Sequence, residues 1–96
     1  MQSVAIYSPF SNVVPTFLSY LRQRKYKNID INYNTSEVTA TRRNTLLKKD
    51  RFFFKLIFVN EAVTHIDIMV NPKKTSSSQA DLQKEIVLQE KLYACF

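Results

Sequence analysis

The sequence predicts an α+β domain: an antiparallel meander sheet of four to five strands with two helices packed on one face, in the order β-α-β-β-β-β-α. Three observations carry this. Residues 51–70 read as a hairpin of two alternating strands, Phe10 to Leu21 repeat at helical spacing, and a second amphipathic stretch follows the polar run 71–78.

Taken in order, Val4 to Tyr7 form a short apolar run, a short edge strand that Ser8 and Pro9 end. Phe10, Val13, Val14, Phe17, Leu18 and Leu21 then follow the i, i+3, i+4, i+7 spacing of one helical face. Ser11 is the expected N-cap, which places Pro15 in the first turn, where its missing N–H costs nothing. Arg22, Arg24 and Lys25 at the other end complement the last carbonyls of the helix.

Ile29, Ile31 and Tyr33 alternate with Asp30 and Asn32, the turn-like Asn34-Thr35-Ser36 follows, and Val38 to Thr41 are β-formers. This second arm is expected to run through Arg42 and Arg43 to Leu46 and Leu47, with Lys48, Lys49 and Asp50 as the next turn. In the strand after it, Phe52, Phe54, Leu56 and Phe58 fill one face and Phe53, Lys55, Ile57 and Val59 the other, so it belongs mid-sheet. Four residues, Asn60 to Val63, can join only antiparallel strands, and Asn60 is expected to take the positive φ of the turn. Beyond them Ile66, Ile68 and Val70 alternate with His65, Asp67 and Met69, one face buried and one wet.

Asn71 to Ser78 read as a loop. Ser78 with Asp81 resembles a capping box, and Leu82, Ile86, Gln89 and Tyr93, widened by Leu88 and Leu92, form the expected inward stripe of the last helix. Gln83, Lys84, Glu85, Glu90 and Lys91 are expected on its other sides.

The 96 residues are expected to fold as one domain, 1–96, since a chain of this length has room for one core. The chain contains no glycine, against an average usage of roughly 7%. That excludes a phosphate-cradling P-loop, a dinucleotide fingerprint and a nucleophile elbow, each of which needs glycine at a tight turn or a close approach. Cys95 is the single cysteine, so neither an intramolecular disulfide nor a thiolate-built zinc site can form. A reducing, cytoplasmic setting is expected, without a secretion leader or a membrane span.

No residue set has the pattern of a catalytic, cofactor or metal site. His65 and Asp67, two apart on a strand with Glu61 just before them, fit a wet strand face better than an acid–base pair. A Cys95–His65 pair would need a penultimate residue held rigidly, whereas termini are usually loose. The expectation is therefore a non-enzymatic binding or interaction module with no cofactor, no small-molecule substrate and no membrane contact.

Two surfaces are candidates for binding. Phe53, Ile57 and Val59 are left over on the second face of the central strand, and a sheet-to-sheet homo-oligomer or a protein partner would cover them. The alternative is a nucleic-acid-binding rim. Fourteen Lys and Arg against eight Asp and Glu give +6, and strand counting brings Arg22, Arg24, Lys25 and Lys27, then Lys48, Lys49 and Arg51, then Lys73 and Lys74 to one end of the meander. Arg42 and Arg43 are expected on opposite faces and stand apart from that rim.

Overall fold

A computed structural model of the chain describes residues 2–43, 49–71 and 79–96. Its elements run β1 (Gln2–Ile6), α1 (Phe10–Gln23), β2 (Lys27–Asn32), β3 (Glu37–Arg43), β4 (Lys49–Asn60), β5 (Val63–Val70) and α2 (Gln79–Cys95). The five strands form one antiparallel sheet in the spatial order β1-β5-β4-β3-β2. A five-stranded antiparallel sheet with two helices is the α+β architecture that the alternating and helical periods imply.

The core follows the strand alternation. Phe54 stands in register between Val38 and Ile68, Phe52 between Ala40 and Val70, and Leu56 opposite Ile66, which in turn faces Val4. All of these are buried, and they cluster with Val13, Phe17, Tyr20 and Leu21 of α1 and Leu88 and Leu92 of α2. Phe17 meets Phe54 edge to face, with centroids 4.9 Å apart, the geometry aromatic pairs prefer.

The start of α1 differs from expectation. Pro9, not Ser11, is the N-cap: its carbonyl accepts the N–H groups of Asn12 and Val13 at 2.9 and 3.0 Å, with no side-chain cap. The helix therefore begins earlier, and Pro15 lies in its interior, where its missing N–H leaves the Ser11 carbonyl without the usual i−4 donor. The helix ends in a Schellman arrangement. Tyr26 N–H reaches Leu21 O at 3.0 Å and Lys25 N–H reaches Arg22 O at 3.2 Å, while Lys25 takes φ 65°. Glycine usually fills that left-handed position. This chain has none, and among the described residues Lys25, Asn28, Ser36 and Asn71 carry the positive φ angles.

Asn60 is not among them. Its Oδ1 accepts the Ala62 N–H at 2.8 Å, so the side chain closes the turn that backbone strain would otherwise close. A register irregularity between Phe58 and Asn60 accompanies it. Phe58, expected inside with Phe52, Phe54 and Leu56, is 60% exposed. β3 pairs with β4 only as far as Lys55, so the tip of the β4–β5 hairpin runs past the core, and Phe58 meets Phe10 edge to face there, with centroids 6.4 Å apart. Tyr33 likewise falls beyond the end of β2 and is exposed.

α2 departs furthest from its expected stripe. Ile86 and Tyr93 are exposed, whereas Glu85, Leu88 and Leu92 are buried. The cause is a backbone donor: the N–H of Val70, two residues past the end of the β1–β5 pairing, is met by Glu85 Oε2 at 3.0 Å, and a buried N–H must find an acceptor. The expected run of the second arm through Leu46 and Leu47 and the Ser78 cap both lie outside the described residues.

Candidate functional site

Two surfaces remain after the core is accounted for. The first is the sheet face opposite the buried rows. Phe53 stands between Thr39 and Met69, Ile57 between His65 and the end of the sheet, and Lys55 between Glu37 and Asp67, whose carboxylate accepts the Ser3 hydroxyl. Phe53 and Ile57 are half-buried by these neighbours, and Val59, near the hairpin tip, is 45% exposed. An apolar row is thus divided by a charged one.

His65 and Asp67 belong to this open face, and Glu61 is exposed in the turn before them. Cys95 lies elsewhere, in a shallow depression beside Pro15, Thr16 and Ser19 of α1, so it is not paired with His65. Among the described residues no group of three or more His, Cys, Asp and Glu is placed to hold a metal ion, and no helix is long and apolar enough to cross a membrane.

The second surface is a groove of about 450 Å³ between the end of the sheet and α2. Tyr20, Tyr26, Phe52 and Leu88 floor it. Arg24, Arg42 and Arg43 rise on the sheet side, and Lys84 and Lys91, two helical turns apart, rise from α2. Asp50 is the one acid among its described lining residues, and it is already engaged. Lys84 Nζ reaches both its carboxylate oxygens, at 2.9 and 3.1 Å, and Asn71 Nδ2 donates to it at 3.0 Å.

The aromatic floor positions the cations. The Arg24 guanidinium lies over the Tyr20 ring and that of Arg42 over the Tyr26 ring, each 5.4 Å from the centroid. Tyr26 is in turn fixed edge-on to Phe52 at 5.0 Å. Burial pushes both phenols above their ordinary value, the neighbouring arginines opposing it only in part. The floor therefore stays uncharged at neutral pH, and nothing on it offsets the cations above.

Of the described residues expected on the rim, Arg24 lines the groove, and Arg22, Lys25, Lys27, Lys49 and Arg51 are exposed outside it. Lys48, Lys73 and Lys74 lie outside the described residues. Arg42 and Arg43, expected on opposite faces of their strand, both line the groove from the end of β3, Arg42 following Val38 and Ala40 on the row of the buried face.

The sequence places Lys84 and Lys91 only on the sides of the last helix away from its apolar stripe, and nothing in it marks them as lining a groove with the β3 arginines. Neither a protein-family model nor a curated protein matches the sequence.

Proposed function

We propose that this chain is a non-enzymatic, cytoplasmic binding module that takes a polyanion, nucleic acid being the class, in the groove beside α2. The observation that carries this reading is the convergence of Arg24, Arg42, Arg43, Lys84 and Lys91 around a neutral aromatic floor with Asp50 as the one acid. Like charges gathered at this density raise each other's electrostatic cost in the free protein, and an anionic ligand relieves it. Both helices are taken to share the buried face of the sheet, which leaves the groove at their margin open.

The test is titration of labelled oligonucleotides at two salt concentrations. With about three to four phosphates neutralised, affinity is expected to fall roughly 20- to 50-fold between about 50 and 200 mM salt. No binding at the lower concentration, or binding indifferent to salt, would overturn the reading.

A second reading, self-association through the open sheet face, is favoured by the adjacent Phe53, Ile57 and Met69 and by exposed Val59. It ranks lower because the charged row of Glu37, Lys55 and Asp67 stands between Phe53 and Ile57, and taking such a row out of water costs several kcal/mol even where its members pair one another. Light scattering after size exclusion, across a concentration series, is expected to show a dimer that Ile57→Lys dissolves if this face is the interface. A monomer at every concentration removes this reading and leaves the first untouched.

A further inference from the structure

We propose that the groove selects single-stranded over double-stranded nucleic acid, with the guanidinium planes of Arg24 and Arg42 serving as stacking platforms for bases. This rests on the polyanion reading above. Three features of the groove argue for it.

The first is shape. The cations line the groove from two walls, Arg42 and Arg43 from the end of β3 and Lys84 and Lys91 from α2. Its volume, about 450 Å³, is that of a small-molecule pocket. A single strand can thread such a cleft and present phosphates to both walls. A duplex carries its phosphates on the outside of a rigid cylinder and meets only the lips.

The second is the state of the arginines. Tyr20 and Tyr26 are too deeply buried to stack on bases themselves. Each instead fixes a guanidinium above it, 5.4 Å from the ring centroid, and Arg42 is held further by a hydrogen bond to Tyr26, so the outward part of each guanidinium is what a ligand meets. Unpaired bases stack on arginine planes as they do on aromatic rings, and a guanidinium can donate to phosphate at the same time. Bases inside a duplex are already stacked and offer no such face.

The third is the poverty of the alternatives. A helix that reads duplex DNA lies in the major groove with polar and basic residues facing the bases and backbone. The exposed side of α1 is Ser11, Asn12, Thr16 and Ser19 with a single arginine near its end, and on α2 Glu90 stands beside Lys91.

The experiment measures anisotropy of labelled oligonucleotides of about 12 nucleotides, single-stranded DNA, the same sequence as RNA, and the duplex. It compares the wild type with Arg24→Lys/Arg42→Lys and with Arg43→Ala/Lys91→Ala. The lysine pair keeps the net charge and removes the planes. The alanine pair removes two cations from exposed positions, one on each wall of the cleft.

Single strands are expected to bind at least about tenfold more tightly than the duplex, a gap that one or two stacked bases supply. The lysine pair should lose most of that gap without weakening the duplex, and the alanine pair should weaken every nucleic acid. If the duplex binds as tightly as the single strand, and the alanine pair weakens both, the inference fails while the polyanion reading stands. An unchanged single-strand affinity in the lysine pair also defeats the inference. If no nucleic acid binds the wild type at low salt, or the alanine pair binds as the wild type does, the polyanion reading at this groove falls with it.

Discussion

Replacing Phe54 by alanine is expected to cost about 3–5 kcal/mol of stability, the usual range for deleting a buried phenylalanine ring. Phe54 is wholly buried, stands in register between Val38 and Ile68, meets Phe17 edge-on and lies parallel to Phe52 at 6.2 Å. Its neighbours belong to three strands and a helix, so no single element can shift to fill the hole without disturbing the others. A domain of this size holds only about 5–15 kcal/mol in total, and the melting temperature is expected to fall on the order of 20 °C. Phe58→Ala is the control. The two phenylalanines lie on one strand with the same alternation, but Phe58 is 60% exposed at the hairpin tip, and its loss is expected to cost about 0.5 kcal/mol. Equal losses in chemical denaturation would mean that the core does not centre where the strand register places it.

That pair also shows what alternation can and cannot convey. Period two reports which side of a strand a residue takes, and it does so correctly for Phe52, Phe54 and Leu56 and for Ile66, Ile68 and Val70. It carries no information on how far the neighbouring strand extends. β3 stops at Glu37, opposite Lys55, and burial of the alternate positions lapses soon afterwards. The start of α1 was displaced for a related reason. Cap preferences describe side-chain acceptors, whereas α1 starts at Pro9 with no side-chain cap, the Pro9 carbonyl making only the ordinary first bonds of the helix. In α2 the pattern places Leu88 and Leu92 inward correctly and Ile86 and Tyr93 wrongly, since a glutamate on the inward side shifts the stripe, and the need for it arises on β5, in another part of the sequence.

The groove was legible in composition and hidden in place. The excess of cations follows from charge counting, but strand counting brings to one end of the meander only Arg24 of the cations that line the groove, and neither Arg42 and Arg43 nor Lys84 and Lys91. The partition of the cations between exposed rim and lined groove depends on Tyr20 and Tyr26. Tyr26 in particular sits inside the run Arg22 to Lys27, where it reads as an interruption in a basic cluster. The Schellman turn at Lys25 is what turns it inward, next to Leu21, and lets it carry the Arg42 side chain. A helix ending that normally announces itself by glycine had no such mark in this chain.

Glu85→Ala is expected to be the second most damaging single change, at about 2–4 kcal/mol. Glu85 is 1% exposed and accepts the Val70 N–H at 3.0 Å. Hydrogen bonds to charged groups contribute about 1.5–3 kcal/mol, and an abandoned buried donor adds its own desolvation cost. Two further substitutions separate the acceptor from the volume it occupies. Glu85→Gln keeps a carbonyl oxygen on a side chain of the same length and is expected to lose only about 1 kcal/mol, the difference between a charged and a neutral acceptor. Glu85→Leu fills the space and accepts nothing, so it should stand close to alanine if the bond to β5 is what matters, and close to wild type if packing is. Amide exchange at Val70 gives the local reading. Its protection is expected to survive in the glutamine variant and to drop in the other two. A leucine variant as stable as the wild type, with Val70 still protected, would show that the buried carboxylate does not anchor α2 to the sheet.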